Sequence, residues 1–154
     1  MSTPKSLYGR LAAAEMVTWA LLILGLLLKY AFRITDVATS IFGTIHGFVF
    51  LSYVAATIVV GVNQRWALSR IALGLASAII PFATYPFERA CLRAGLLEGQ
   101  WRFQDRAEKP HTLAEKCLAV IVRYPYQAGF AILLSIIVVF SLLLMAGPPT
   151  QWFN

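Results

Sequence analysis

Charged residues are scarce in this chain of 154 residues. Lys, Arg, Asp and Glu together make up 13% of it, whereas a soluble domain of ordinary composition carries about 25%. Hydrophobic residues make up 59%, and charges are nearly absent from several long stretches. This composition excludes an ordinary soluble domain and indicates an integral membrane protein.

Cysteine and histidine, two common metal-binding residues, are also scarce. Cys91 and Cys117 stand in neither a metal-binding nor a redox spacing, so we expect free thiols. His46 is the one histidine inside an apolar segment, which excludes a haem held between two intramembrane histidines. No phosphate-binding glycine loop and no Ser-His-Asp set stands out. We therefore expect no catalytic residue, no metal and no cofactor, and predict that the protein is not an enzyme.

Four segments are long and apolar enough to cross a membrane, which takes about 20 residues at a rise of about 1.5 Å each. They cover about 11–32, 39–62, 66–87 and 128–147. Glu15 and the length of the first apolar run argue against a signal peptide. We expect an all-α membrane protein in which residues 1–95 form a three-helix, polar-lined core. A peripheral fourth helix and a C-terminal tail at 148–154 complete this arrangement.

The longest polar segment, 96–127, joins the third predicted helix to the fourth. Thr112 and Glu115 stand three residues apart before an apolar run, which is a capping-box pattern. The pattern predicts a short amphipathic helix at about 113–123 that ends before Pro125. We expect this helix to lie at the membrane interface.

The basic residues flank the ends of the predicted helices. The net charge of +6 therefore indicates orientation in a membrane rather than nucleic-acid binding. In a four-span arrangement, four Lys and Arg residues lie on the side of the two termini and nine on the side of the 96–127 loop. The positive-inside rule then predicts a cytoplasmic loop and external termini.

Helical spacing groups the polar residues of the first three segments into stripes, since each residue advances about 100°. The stripes predict a buried polar or ligand site with the members Glu15, Lys29, His46, Tyr53, Arg70 and Glu88. Small residues and a helix-kinking proline on the same faces predict helix packing at Gly43, Gly47, Gly74, Ser77 and Pro81.

Two interpretations of the charged members stay open. In the first, Glu15 pairs with Arg70 and Lys29 pairs with Glu88, and the two ion pairs hold the bundle together. In the second, the same groups form an open ligand or proton site. His46 is central to the second interpretation because a histidine can titrate near neutral pH.

Several of these residues stand in an ordered set of motifs. The motifs are Glu15, Leu28-Lys29-Tyr30, Gly43-Thr-Ile-His46-Gly47 with Phe50 and Tyr53, Arg65-Trp66, and Ser77 through Pro81-Phe82 to Glu88-Arg89. In this order they resemble the domain of unknown function 3817 family of bacterial integral membrane proteins, over about residues 8–95. The resemblance implies a multi-pass protein of the bacterial inner membrane, and it implies no particular activity.

Three functions stay open on the sequence. We expect a non-enzymatic accessory or assembly subunit of a larger membrane complex, since the chain is small and its fourth helix is bare. The alternatives are a small dimeric proton-coupled transporter, or a lipid- or quinone-binding module that uses the face of His46 and Tyr53. Glu15 is similar to the membrane carboxylate of small multidrug-resistance exporters, although Arg70 would not be expected beside an exporter glutamate. The expected partners are the lipid bilayer and another membrane protein or a second copy of the chain, with no nucleic acid.

Overall fold

The computed structural model describes residues 3–146, and within these residues it contains helices and no strands. The helices are α1 (Pro4–Leu26), α2 (Val37–Asn63), α3 (Leu68–Ile79), α4 (Thr84–Arg93), α5 (Leu113–Arg123) and α6 (Pro125–Ala146). A π-helical turn at Leu27–Ala31 extends α1. The predicted tail at 148–154 lies outside the described residues.

Three of these segments are long and apolar enough to cross a membrane. They are Pro4–Ala31, Val37–Asn63 and Pro125–Ala146. The first two pack against each other in opposite directions, since Tyr8 meets Tyr53 at one end and Gly25 meets Thr39 at the other. At the second contact the Thr39 hydroxyl donates to the Gly25 carbonyl at 2.7 Å.

Local sequence determines where several helices begin. The Thr3 hydroxyl accepts from the Ser6 amide at 3.2 Å, and Pro4 occupies the first turn of α1, where its missing amide hydrogen costs nothing. Thr112 and Glu115 form the capping box of α5, with both reciprocal hydrogen bonds present.

The third apolar segment is two helices rather than one. The α3 helix ends at Ile79, Ile80 is extended, Phe82 has a φ of 63°, and α4 begins at Thr84. Pro81 is the physical reason, because a proline disfavours the α conformation of the residue before it. The predicted single span over 66–87 with a kink at Pro81 is therefore corrected to a break. With 12 residues, α3 is about 18 Å long, well short of the roughly 30 Å core of a bilayer.

The α3 and α4 helices form an antiparallel hairpin, called here the α3–α4 hairpin. Both arms meet at Gly74, where an added Cβ would lie 2.8 Å from Thr57 of α2 and 3.1 Å from Phe87 of α4. Glycine is therefore what lets the three helices approach at this point.

Contacts with α1 show the direction of each arm of the hairpin. Near the end of α3, the Trp19 indole donates to the Ala78 carbonyl at 3.2 Å. At the start of α4, the Thr84 hydroxyl donates to the Ala12 carbonyl at 3.2 Å. Glu88, one turn later, lies beside Gly9. The chain therefore turns back after Ile79 and runs towards the beginning of α1.

The segment after α4 packs against the first turn of α1 and the end of α2. Lys5 pairs with Glu98 at 3.0 Å, and the Trp66 indole donates to the Leu96 carbonyl at 3.0 Å. The Gln64 amide donates to the Glu98 carbonyl at 3.0 Å. The N-terminal end and the long loop thus lie on the same side of the molecule. The four-span arrangement predicted from the sequence put them on opposite sides.

A set of charged hydrogen bonds, called here the loop lock, holds the long loop on α5. Arg102 donates to Glu115 at 2.7 Å and lies 3.5 Å from Glu108. Arg123 donates to the carbonyl oxygens of Phe103 and Glu108 at 3.3 and 2.9 Å. The loop is therefore an ordered cover over the end of the bundle.

The α6 helix begins beside the loop and runs along α2 in the opposite direction. Phe140 packs against Gly47, and an added Cβ on Gly47 would lie 2.5 Å from the Phe140 ring. Ile136 is the one buried residue of α6. The predicted description of α6 as a peripheral helix agrees with this burial.

Candidate buried polar site

Glu15 is a carboxylate placed in the middle of a membrane helix. Its side chain has 0% exposure, and neither carboxylate oxygen has a hydrogen-bond partner. The nearest ion-pair candidate is His46 of α2, whose Nδ1 lies 3.9 Å from Glu15 Oε2. That distance is too long for a hydrogen bond. Burying a carboxylate without a hydrogen-bond donor costs free energy. The structure gives the Glu15 side chain no such donor.

Thr18 contacts both the Glu15 backbone and the ring of His46. The Thr18 hydroxyl donates to the Glu15 backbone carbonyl at 3.1 Å and therefore has no hydrogen left for a second acceptor. The same oxygen lies 3.1 Å from His46 Nδ1, and with the Thr18 hydrogen on the Glu15 carbonyl we assign the hydrogen of this contact to Nδ1. Trp19 packs against the ring, with the centroids 4.5 Å apart.

A second polar group, called here the hydroxyl cluster, consists of Tyr8, Tyr53, Thr57 and Ser77. The Tyr8 and Tyr53 hydroxyls are 2.7 Å apart, Tyr8 is 3.3 Å from Thr57, and Tyr53 is 3.1 Å from Ser77. Thr57 and Ser77 also donate to carbonyl oxygens one turn back in their own helices. All four hydroxyls are buried. This closed network satisfies its own polar atoms and links α1, α2 and α3.

The structure brings together only part of the predicted site. Glu15 and His46 face each other, and Tyr53 follows His46 two turns along α2. Lys29 instead pairs with Asp36 at 3.7 Å, at the far end of α1. Glu88 is buried near the beginning of α1, 3.9 Å from Arg89.

Neither predicted ion pair is formed among residues 3–146. Glu88 cannot reach Lys29, because the break at 80–83 turns α4 back towards the opposite end of α1. Arg70 lies in the first turn of α3 and makes no ion pair with Glu15. The ion-pair interpretation of these charges is therefore wrong, and Glu15 is left without a cation other than a protonated His46.

The predicted packing residues have different surroundings. Gly47 and Gly74 are in close contact with neighbouring helices, and Ser77 belongs to the hydroxyl cluster. Gly43 has only an ordinary contact, 3.8 Å from Leu22 to an added Cβ. Pro81 is exposed at the tip of the α3–α4 hairpin.

Tyr8 was not predicted as a site residue because it precedes the expected start of the first span at residue 11. A sequence signal for it exists, since Tyr8 and Glu15 are seven residues apart and so share one face of α1. Thr18 follows Glu15 by three residues on the same half of the helix.

An apolar groove of about 270 Å³ lies between α1, α2 and α6. Leu7, Ser52, Val59, Trp101, Gly129 and Ile136 are among the residues that line it. Neither His46 nor Tyr53 is a lining residue. The groove and the buried polar residues are thus separate features of the molecule. Within residues 3–146 no group of three His, Cys, Asp or Glu side chains could hold a metal ion.

Together, the apolar helices, the basic loop that covers one end of the bundle and the buried polar residues define a multi-pass helical membrane protein. The chain belongs to the family of the domain of unknown function DUF3817, whose model matches residues 6–93. The resemblance expected from the sequence motifs is thereby confirmed.

One relative contains a similar region within a longer chain. A protein of Streptomyces coelicolor, named as a membrane protein, is 40% identical over 88 residues, which are 56% of this chain and 10% of that protein. The chain thus spans about a tenth of the relative's length. No solved structure matches the chain.

Proposed function

We propose that the protein is a non-enzymatic accessory or assembly subunit of a larger membrane complex in the bacterial inner membrane. The observation that carries the proposal is the relative in which the matching region is a tenth of a much longer membrane protein. In that protein the matching region is covalently part of a much longer chain. We infer that this chain works in the same kind of association, through contacts with a larger membrane protein.

The α6 helix is the best candidate for the docking face. It lies outside the matched family region of 6–93, and only Ile136 on it is buried. Its exposed apolar side chains include Leu133, Leu134, Ile137, Val138 and Leu142. A helix that contributes so little to the core of its own protein is free to pack against another one.

A second candidate function, proton-coupled transport by a dimer, is favoured by one observation. One interpretation of the sequence paired Arg70 with Glu15, and no such pair is formed within residues 3–146. The exporter-like glutamate is therefore available for a proton. The third candidate, a lipid or quinone site at His46 and Tyr53, gains no such support, since the apolar groove does not reach either residue.

The fold also supports an orientation. With the α3–α4 hairpin turning back, eleven of the 13 Lys and Arg residues lie on the side of the N-terminal end. They are Lys5, Arg10, Arg65, Arg70, Arg89, Arg93, Arg102, Arg106, Lys109, Lys116 and Arg123. Lys29 and Arg33 alone lie on the other side. By the positive-inside rule, the N-terminal end and the long loop face the cytoplasm and α6 runs outward.

Photo-crosslinking in native membranes tests the accessory role. A photoreactive amino acid replaces Ile137, which is 47% exposed on α6, and the tagged protein is irradiated before mild detergent extraction. We expect a covalent adduct with one larger membrane protein, identified by mass spectrometry. The matched control carries the same group at Leu73, which is 63% exposed on α3, and should give far less of that adduct.

Recovery of only the monomer, or only a cross-linked homodimer, would count against the accessory role. A homodimer would instead favour the transporter. In that case Glu15→Gln should abolish proton-linked transport, and unchanged transport would exclude this second candidate too.

A further inference from the structure

The hydrogen on His46 Nδ1 has two possible acceptors, the Thr18 hydroxyl and the Glu15 side chain. Its Nδ1 lies 3.1 Å from the Thr18 hydroxyl and 3.9 Å from Glu15 Oε2, and only the first distance is a hydrogen bond. Thr18 is already committed as a donor to the Glu15 carbonyl, so the Nδ1 hydrogen points at Thr18. Glu15 is the group left without a partner.

We propose that Glu15 is a reversible proton-binding site and that His46 changes its hydrogen-bond partner when the proton leaves. In the structure described here, Glu15 carries the proton as a neutral acid and His46 donates to Thr18. When Glu15 releases the proton, the Nδ1–H group turns from Thr18 to the new carboxylate. His46 stays neutral in both states, so one proton is bound or released in total.

Two physical points support this assignment. A neutral carboxylic acid without a donor costs far less in an apolar interior than a carboxylate does. The charged form in turn becomes tolerable only with a donor, and His46 Nδ1 lies 3.9 Å from Glu15 Oε2. A shift of less than 1 Å would bring the 3.9 Å separation to hydrogen-bond length.

The other titratable side chains on the helices around Glu15 and His46 either belong to the hydroxyl cluster or lie away from these two residues. Tyr8 and Tyr53 belong to the hydroxyl cluster, two turns from Glu15 and His46 respectively. On the α3–α4 hairpin, Arg70, Glu88 and Cys91 lie towards the beginning of α1. The sole ionisable side chain of α6 is Tyr126, which is exposed. Within residues 3–146, Glu15 is within ion-pair distance of His46 and of no other side chain.

Histidine-selective ¹⁵N NMR of the full chain in lipid bilayers tests the proposal. The chain has two histidines, so the spectrum contains signals from His46 and from the exposed His111 alone. The variant His111→Gln assigns them. We expect the Nδ1–H signal of His46 to move in one step with pH while Nε2 stays unprotonated.

Two variants decide the outcome. Glu15→Gln cannot release a proton, so the His46 step should be lost while the signals of His111 are the same as in the wild type. Thr18→Val removes the alternative acceptor, so the Nδ1–H signal should sit at the high-pH position of the wild type throughout. A His46 step that survives in Glu15→Gln, a wild type with no step, or protonation of both ring nitrogens would overturn the proposal. None of these results depends on a partner protein, so the accessory role is tested separately.

Discussion

At the scale of single residues, the hydroxyl cluster is a buried polar connection between three helices. The 2.7 Å contact between Tyr8 and Tyr53 is buried and short, and both rings also pack at a centroid distance of 5.3 Å. We expect Tyr53→Phe to destabilise the protein by about 1–3 kcal/mol, because it leaves buried hydroxyls unpaired while keeping the ring. Unfolding in mixed detergent, followed by circular dichroism, measures the change.

Tyr126→Phe is the matched control for that substitution. Tyr126 is 89% exposed, so removing its hydroxyl should change the free energy of unfolding by no more than about 0.5 kcal/mol. An equal effect of the two substitutions would show that the hydroxyl cluster does not stabilise the fold.

Part of the polar site could be predicted because ionisable side chains inside apolar segments are rare. Glu15 and His46 were found in this way, and they do face each other. Their relation to Thr18 could not be predicted, because it depends on which acceptor the Thr18 hydroxyl uses. The pairing of Lys29 with Asp36 was missed because the tight turn after the π-helical residues brings them together.

At the scale of elements, the loop lock leads to a pH prediction for the long loop. The hydrogen bond from Arg102 lowers the pKa of the Glu115 carboxyl from its ordinary 4.5 to about 2, with help from the His111 and Thr112 amides. A lowered pKa means that the folded state favours the charged form. The stabilisation is therefore present above about pH 4.5 and is lost as the pH falls towards about 2.

Hydrogen exchange of the amides at 103–112 measures this effect. After correction for intrinsic exchange rates, protection should decrease between pH 4.5 and 2 in the wild type. The variant Glu115→Gln should have low protection already at neutral pH and little further change. Equal protection in both proteins at neutral pH would show that Arg102 and Glu115 do not hold the loop.

The contact between α2 and α6 gives a second prediction at this scale. Gly47→Ala places a methyl group 2.5 Å from the Phe140 ring, so the ring or its helix must shift. We expect a loss of about 1–3 kcal/mol in the free energy of unfolding. Phe140→Leu should restore part of that loss in the double variant.

The control for this contact is Gly129→Ala on α6. Nothing lies within 4 Å of a Cβ added there, so the substitution should be neutral or slightly stabilising. If Gly47→Ala is equally harmless, α6 does not pack on α2 at this position.

Long apolar runs made the crossing helices predictable, and the Thr112–Glu115 spacing made α5 predictable. The break between α3 and α4 was not, since Pro81 inside an apolar run fits either a kink or a stop. Tertiary contacts of α4 decide between a kink and a stop. Once Ile80 is extended, Thr84 reaches the Ala12 carbonyl and Phe87 packs against Gly74, and these contacts hold α4 in the returning direction.

At the scale of the whole molecule, the break between α3 and α4 determines on which side of the molecule most of the positive charge lies. A third helix that crossed would put the long loop opposite the N-terminal end, whereas the hairpin puts the two together, as the contact between Lys5 and Glu98 shows. The basic residues then gather on one side, and the charge bias agrees with the fold. The proposed orientation and the outward course of α6 both depend on this geometry.

Single-cysteine labelling tests this central claim most directly. In a background with Cys91→Ser and Cys117→Ser, one cysteine is placed at Lys5, Gln104 or Asp36, all exposed positions. A membrane-impermeant maleimide is then applied to intact spheroplasts and to inverted vesicles. We predict that positions 5 and 104 react only in inverted vesicles and that position 36 reacts only in spheroplasts. If positions 36 and 104 react from the same side, the third segment crosses the membrane and the account is wrong.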